Sequence, residues 1–440
     1  MINKQSVVIN QICSGWSEQM SFYRFVHNEH VSEEALSLML QSKCKTGVAG
    51  RSHVLAISDS SIIDYSWHRS GVKPGSGLGF IGDHNGWGYN MHSSLVLDPE
   101  DRSVLGLSDA HLWHRSVAKS DTKENYYSKP FEEKESYRWV NSCLKSKSAL
   151  EEVQMCTFVH DSEGDIYDSF VLIPDKKHHL LVRSKYDRRI ITPSGEESKL
   201  RKYVANQAIL GVYQVEVNSD QRKRTAHTAY LELRSTRVRI KRIENAKYHY
   251  QYPRSVEVDL VYAKQRPESV PPGEEAIEWY LMTTHRVENF TDAIQIIYWY
   301  TLRWFIEDFF RLLKKKGFQL ESSELETGFA LRRLGILAMD SALQAMQLRQ
   351  ARDGQDKMPI EAVFDPKEVE ALEKIGPTLE GNTLKQKNPY PPKSLPWASW
   401  IIARLGGWKG YKSQRPPGVI TFKRGLVIFK NILWGINLGP

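Results

Sequence analysis

The sequence lacks any apolar run long enough to cross a lipid bilayer, which takes about 18 to 20 consecutive apolar residues. Its first residues also lack the positively charged segment and apolar core that mark a signal peptide. We therefore expect no membrane partner and a cytoplasmic location.

Cysteine is scarce, with four residues in 440 (Cys13, Cys44, Cys143 and Cys156). No two of them form a Cys-x-x-Cys pair, and none has a histidine nearby at zinc-ligand spacing. This pattern argues against a disulfide framework and against a structural zinc site. It predicts free thiols in or near a core. A nucleotide-binding loop is also not expected, because the glycine-rich segment from Gly75 to Gly79 is not followed by Lys-Ser or Lys-Thr.

Basic residues are in excess: the formal net charge is +8 and 41% of the residues are hydrophobic. The charge is compatible with a nucleic-acid partner, although many basic proteins bind none. A chain of 440 residues is long enough for two or three domains, because single cores stop growing near about 250 to 300 residues.

Short apolar runs of strand length mark the first half of the chain. The run from His53 to Ser58 ends at Asp59, and the run from Cys156 to His160 ends at Asp161. Strand-like alternation then dominates residues 208–285, and helical periodicity dominates residues 289–352. This order predicts an α/β core with a mainly-β segment placed before the helices.

The segment from Tyr300 to Lys314 has helical periodicity. At about 100° per residue, Tyr300, Arg303, Glu307 and Lys314 fall within an arc of about 60°. A neighbouring arc is apolar and predicts a packed face made of Trp299, Leu302, Ile306, Phe309 and Leu313. Taken alone, this segment is better explained by an ordinary amphipathic helix with an Arg303–Glu307 ion pair, worth about 0.2 to 0.5 kcal/mol.

The spacing Tyr-x2-Arg-x3-Glu-x6-Lys resembles the signature of the bacterial cut-and-paste DNA transposases of the insertion-sequence-four family, of the transposon-five type. Further segments resemble the same family in the same order, and the resemblance runs from about residue 21 to the C-terminus, weaker beyond about 350. These segments are 23–28, 56–61, 159–166, 182–185 and Trp279.

This resemblance implies a DDE transposase with a ribonuclease-H-like core, in which Asp59, Asp161 and Glu307 are catalytic and hold two Mg²⁺ ions, with Mn²⁺ as a substitute. The chemistry fits, because two ions about 3.5 to 4 Å apart activate the attacking hydroxyl and stabilise the leaving oxygen. Mg²⁺ also prefers hard oxygen ligands. The implied activity is cleavage at transposon ends, hairpin formation and strand transfer into target DNA.

Other carboxylates compete for the metal-ligand role. We favour Asp161 over Asp165 because Asp161 directly ends the apolar run. Asp64 is expected to cap a turn. Asp308 points about 100° away from Glu307 on a helix and is not expected to be a ligand.

The resemblance also implies residues that contact DNA. Tyr300, Arg303 and Lys314 would bind phosphates, and Trp279 would stack on an extruded base, although a Trp buried in a strand is the plain alternative. We expect further DNA contacts from basic residues on strands, although these residues also fit a solvated face: Arg183, Lys185, Arg237, Arg239 and Lys241.

The domain organisation follows from the same comparison. We expect residues 1–50 to be the remnant of an N-terminal helical DNA-binding region. The catalytic domain would span residues 51–330 with a β insertion at about 208–285, and a helical dimerisation region would span residues 331–440. The implied partners are double-stranded DNA and a second copy of the chain in a synaptic complex, in the nucleoid-associated cytoplasm of a bacterium.

Two other functions stay open. Only about twenty residues precede the familial segment at Tyr23, where this family carries an end-recognition domain. A shortened, non-catalytic regulator that inhibits full-length transposase through mixed dimers is therefore the alternative. A housekeeping ribonuclease-H-like nuclease is weaker, because it leaves Trp279 and Tyr300 without a role.

Overall fold

The computed structural model describes residues 16–82, 86–116, 129–217, 219, 225–242, 252–314, 317–411 and 415–437. Across these residues the chain is a mixed α/β protein, with one large sheet and helices concentrated toward the C-terminus. The predicted α/β class is confirmed at this level.

The strands of the described residues all join that one sheet. They are β1 (His53–Asp64), β2 (Gly79–Ile81), β3 (Gly86–Leu97), β4 (Val104–Trp113), β5 (Met155–His160), β6 (His178–Arg183), β7 (Arg189–Ile191), β8 (Glu197–Lys199), β9 (Gly211–Val217), β10 (His227–Lys241), β11 (Ser255–Gln265) and β12 (Glu278–Thr283).

Helices lie before, between and after the strands in the sequence. They are α1 (Trp16–His27), α2 (Glu33–Gly47), α3 (Tyr137–Ala149), α4 (Tyr167–Leu172), α5 (Leu200–Ala205), α6 (Phe290–Thr301), α7 (Trp304–Leu313), α8 (Gly328–Ala351), α9 (Pro366–Leu379), α10 (Leu395–Leu405) and α11 (Val419–Asn437).

The centre of the sheet is parallel and its two wings are antiparallel. The strand order is β2-β3-β1-β5-β6-β12-β11-β10-β7-β8, with β4 beside β3 and β9 beside β10. The pairs β1–β5 and β5–β6 are parallel, and the remaining pairs are antiparallel. The helices α3 and α4 precede β5 and β6, as parallel neighbours require a crossover connection.

The strands within residues 208–285 extend this sheet. β12 pairs with β6, and β11, β10 and β9 follow it outward. The segment predicted as a β insertion is thus continuous with the central strands.

Both faces of the sheet are covered by apolar side chains, so the central strands carry buried residues in succession. Ala56 and Ile57, adjacent on β1, belong to two different core clusters because successive strand residues point to opposite faces. α8 contributes Leu334 to one cluster and Leu348 to the other. The boundary predicted at 330/331 therefore falls inside α8, within a shared core.

The N-terminal helices pack on the same body. Ser32 caps α2 by accepting a hydrogen bond from the Ala35 N–H at 3.0 Å, and Leu36 and Leu40 are buried. Residues 1–15 of the predicted 1–50 region lie outside the described residues. Cys44, Cys143 and Cys156 are buried free thiols, as predicted, and Cys13 lies outside the described residues.

No helix among the described parts of the chain combines the length and the apolar character that a membrane crossing demands.

Candidate active site

Asp59 and Asp161 occupy equivalent levels of two neighbouring parallel strands. The β1–β5 register pairs Ser58 with His160. Asp59 and Asp161 are the residues that directly follow this pair along the chain. Parallel neighbours lie about 4.8 Å apart, so the backbones at the two carboxylates are close. Asp161 directly follows β5, as predicted from the apolar run.

The sequence prediction that Asp59 ends a strand is wrong. β1 continues to Asp64 because β3 pairs with it along this whole stretch, from Leu55↔Leu97 to Asp64↔Gly88. Asp59 instead follows the last residue of the parallel pairing. Asp64 ends the strand and accepts a hydrogen bond from the Ser66 N–H at 2.7 Å, which confirms its predicted role in a turn.

Glu307 is carried by a helix that is shorter than predicted. The segment expected as one helix is split into α6 and α7 by a turn at Leu302 and Arg303. The backbone there tightens to three-residue hydrogen bonds, with Arg303 N–H donating to Tyr300 O at 3.1 Å and Ile306 N–H to Arg303 O at 3.2 Å. The predicted packing stripe is nevertheless buried on both sides of the turn.

Arg303 bridges two of the predicted metal ligands. Its Nη1 lies 3.3 Å from Asp59 Oδ2, and its Nη2 contacts Glu307 Oε1. The i,i+4 ion pair of the ordinary reading is therefore present, and it is joined by an aspartate 244 positions away. Burial acts to lower the pKa of Arg303, but Tyr300, Glu307 and Asp59 outweigh it and raise that pKa above its usual value.

The carboxyl group of Asp59 sits in a crowded, mostly buried place. Burial and then the charge of Asp161 raise its pKa to about 7, with a further contribution from Glu307, while the Ser60 N–H and Arg303 act in the opposite direction. Neighbouring carboxylates repel one another unless a cation lies between them. The three predicted ligands thus form one electrostatic cluster.

The competing carboxylates are engaged elsewhere. Asp165 is buried and accepts hydrogen bonds from the Lys185 N–H and from Arg188. Asp308 pairs with Arg311 and Arg349. These contacts agree with the preference for Asp161 over Asp165 and with the exclusion of Asp308.

Two of the predicted DNA-contact residues pack against each other. The rings of Trp279 and Tyr300 lie 5.6 Å apart at 67°, and Trp279 is half-buried. The sequence predicts Tyr300 on an accessible helix face, but only 4% of it is exposed, because it belongs to the same core cluster as Trp299 and Leu302. Its hydroxyl is buried with no hydrogen-bond partner among the described residues. Burial, the largest cause, raises its pKa.

The other predicted DNA-contact residues outside β10 lie on or beside different elements: Arg183, Lys185 and Lys314. The β5–β6 register pairs His160 with Val182, which places Arg183 at the level of Asp161 on the next strand. Lys185 follows two residues later, with its Nζ 5.8 Å from the Tyr186 ring. Lys314 ends α7 and lines a separate cavity of about 660 Å³ together with Asp64 and Glu321.

The basic residues of β10 lie far from the carboxylates. Four strand steps separate β5 from β10, which is about 19 Å at 4.8 Å a step. Arg237 pairs with Asp259 and Glu257, and Lys241 pairs with Glu197, so their charges are already compensated. Arg239 is exposed. Three cations do share one face, as predicted, but only Arg239 presents its charge outward there without an ion pair among the described residues.

Sequence reasoning missed Arg138 on α3. Its Nε donates to Ser60 Oγ at 3.1 Å and its Nη2 lies 3.1 Å from Glu163 Oε2. The Ser60 N–H donates to Asp59 Oδ1 and the Glu163 N–H donates to Asp161 Oδ1, both at 2.7 Å. Arg138 therefore connects the segments that carry both aspartates. No local motif marks it, because its contacts with Ser60 and Glu163 are long-range in sequence.

The residue types fit a divalent metal site, since Asp59, Asp161 and Glu307 supply hard oxygen atoms to one region. Among the described residues, no three His, Cys, Asp or Glu side chains are arranged to share a single ion as they stand. Arg303 lies in the gap between two of the three carboxylates. A search of protein-family models found none that matches the chain.

Proposed function

We propose that this protein is a DNA transposase of the DDE class, which cleaves transposon ends, forms hairpins and transfers the ends into target DNA. The observation that carries the proposal is the contact of one guanidinium, that of Arg303, with both Asp59 and Glu307, beside Asp161 on the neighbouring strand. Metal-assisted phosphoryl transfer needs carboxylate oxygens gathered in this way.

The sheet supports a ribonuclease-H-like core. β4, β3 and β1 form an antiparallel meander, and β5 and β6 extend it in parallel with β1. That five-stranded order, with a helix before each parallel strand, is what the proposed core requires. The aspartates lie where the parallel pairing ends, which is the usual place for ligands in sheets of this kind.

The donor set is compatible with two ions. Asp59 and Glu307 both contact the guanidinium of Arg303, and Asp161 lies beside Asp59 on the neighbouring strand. These residues would hold the two Mg²⁺ ions through their carboxylate oxygens. When bound, such ions activate the attacking oxygen and stabilise the leaving one.

Arg303 has a defined part in this proposal. Asp59 and Glu307 would hold the cations, which would supply the positive charge that Arg303 now supplies to both carboxylates. The guanidinium of Arg303 would then be available to a phosphate, which its planar donors bind in a bidentate manner. Arg183, at the level of Asp161, extends the cationic surface toward β6.

The proposed partners are double-stranded DNA and a second copy of the chain in a synaptic complex, in the bacterial cytoplasm. The net charge of +8 supports an anionic partner. Trp279, half-buried against Tyr300, supports the proposed stacking on an extruded base.

The test is Mg²⁺- or Mn²⁺-dependent nicking and joining of the inverted repeats that flank the gene. Asp161→Ala and Glu307→Ala should each reduce cleavage by about 1000-fold or more, because each removes a metal ligand. Glu370→Gln is the matched control and should cleave normally, since its carboxylate lies on the exposed surface of α9 and pairs with Lys374. Unchanged cleavage in the Asp161 and Glu307 variants would overturn the site assignment.

The same terminal repeats distinguish a non-catalytic regulator from an active enzyme. It would give no metal-dependent cleavage and no specific complex with a terminal repeat, while still forming mixed dimers with a full-length transposase. Nothing in the described residues favours it over the enzyme.

A further inference from the structure

A cavity of about 800 Å³ is lined in part by the helix that carries Glu307. Its walls come from α7, α8 and the segment that leads into α11. The volume is within the range of about 300 to 1,000 Å³ typical of ligand sites. None of the three carboxylates of the candidate active site lines it.

The cavity has a strong excess of positive charge. Arg311 and Arg349 share one counter-ion, Asp308, at 2.7 and 3.5 Å. Arg415 and Arg424 also line the cavity, are exposed, and have no ion pair among the described residues. Asp308 is the only acidic residue in the described lining. Four guanidinium groups around one carboxylate repel one another, and an anionic ligand removes that repulsion.

The cavity is linked to the candidate active site through α7. Arg311 lines both this cavity and the neighbouring cavity of about 660 Å³, which Lys314 also lines. Glu307 and Arg311 are one helical turn apart on α7. The two cavities therefore share the guanidinium of Arg311, although Asp64 and Glu321 also line the smaller one.

The side chains that line the cavity limit the chemical class of its ligand. Arginine binds phosphate in a bidentate manner. Trp408 and Pro417 contribute apolar surface to the same cavity. Guanidinium groups beside apolar surface match a sugar–phosphate strand better than a small inorganic ion, which offers no apolar part.

We propose that this cavity binds the phosphate groups of DNA at a site separate from the carboxylate cluster. The inference rests on the proposed function for the identity of its ligand. Phosphates here come either from the DNA held in the active site, further along the strand, or from a second duplex.

The test measures DNA binding without metal, so that it does not depend on catalysis. A fluorescent duplex of random sequence is titrated with the wild type and with Arg415→Ala/Arg424→Ala over a series of salt concentrations. Both arginines are exposed, so the variant should fold normally. The control, Lys367→Ala/Lys374→Ala, removes the same charge from the exposed surface of α9.

We expect the arginine variant to bind about tenfold or more weakly, with a salt dependence lower by about one unit for each phosphate that it no longer binds. The lysine control should match the wild type. If the arginine variant binds as tightly as the wild type, or if both double variants bind equally weakly, the cavity is not a DNA site. In either case the proposed function is untouched. The opposite pattern, a cavity-dependent complex with no metal-dependent cleavage, overturns the proposed function and leaves this inference standing.

A duplex of about 12 base pairs, roughly 40 Å long, separates the two sources of phosphate. If a second duplex occupies the cavity, the wild type binds two such duplexes per chain and the arginine variant binds one. If a single strand path runs through both sites, the stoichiometry is one for both proteins, and the variant loses affinity only for longer duplexes. Equal stoichiometry and equal affinity at every length contradict the proposal.

Discussion

The protonation of Asp59 is set by its neighbours. Its pKa of about 7 lies above the ordinary value of about 3.9 because burial and the charge of Asp161 disfavour the carboxylate. The folded protein therefore holds this proton more tightly than the unfolded chain does. The stabilising contribution is complete below about pH 4 and is lost as the pH rises through about 7.

Asp59→Asn should consequently stabilise the metal-free protein at pH 8, by on the order of 2 to 4 kcal/mol. The gain should shrink steadily toward pH 4, where both side chains are neutral. Urea unfolding in a chelating buffer at several pH values measures this difference. Asp64→Asn, on the exposed end of the same strand, should show no comparable gain. An equal free energy of unfolding for wild type and Asp59→Asn at pH 8 would contradict the electrostatic account.

The contact between Arg303 and Asp59 is one that local sequence spacing does not predict. The spacing of Arg303 and Glu307 predicts their ion pair, because four residues make about one helical turn. Nothing in the spacing indicates Asp59, which approaches from a strand 244 positions away. The ion pairs of Arg237 and Lys241 escaped prediction for the same reason, since Asp259 and Glu197 lie on other strands.

At the scale of elements, α3 holds the two aspartate-bearing segments together through Arg138. We expect Arg138→Ala to weaken the binding of Mn²⁺ about three- to tenfold, because Ser60 and Glu163 lose their common anchor. Titration followed by the electron paramagnetic resonance of free Mn²⁺ measures this affinity in the absence of DNA. Arg138→Lys should recover part of it.

A control separates positioning from general damage to the fold. Lys147→Ala removes another cation of α3, one that pairs with Asp175 away from the site. It should lower stability slightly and leave the Mn²⁺ affinity unchanged. Equal loss of Mn²⁺ affinity in the Lys147 and Arg138 variants would show that α3 affects the site only through the stability of the fold.

The turn between α6 and α7 shows where periodicity fails as a guide. The apolar positions keep a helical spacing through Leu302, so the sequence predicts an unbroken helix. The structure tightens the backbone at this point, and the same residues still bury their side chains. Burial determines which residues face the core, whereas a small rotation at the turn costs little and is not encoded in the pattern.

At the scale of the whole molecule, the C-terminal helices and the sheet share their core. One cluster joins Phe158 and Leu180 of the central strands to Trp400 of α10 and Phe422 of α11. We therefore expect a single cooperative unfolding transition in scanning calorimetry, with residues 331–440 unable to fold alone. Two separate transitions, or a stable folded fragment 331–440, would contradict this expectation.

Local order along the chain was enough to determine the α/β class, the apolar runs that lead to Asp59 and Asp161, and the packed face beside Glu307. These features depend on residues a few positions apart, whose side chains alternate or repeat in a way the sequence displays directly. Tertiary structure alone decided that Arg303 bridges two carboxylates, that Tyr300 is buried, that Arg138 supports both aspartates and that a cationic cavity forms beside α7. Each of these depends on charges and surfaces brought together from distant segments, and such distances are created only when the sheet and its helices pack.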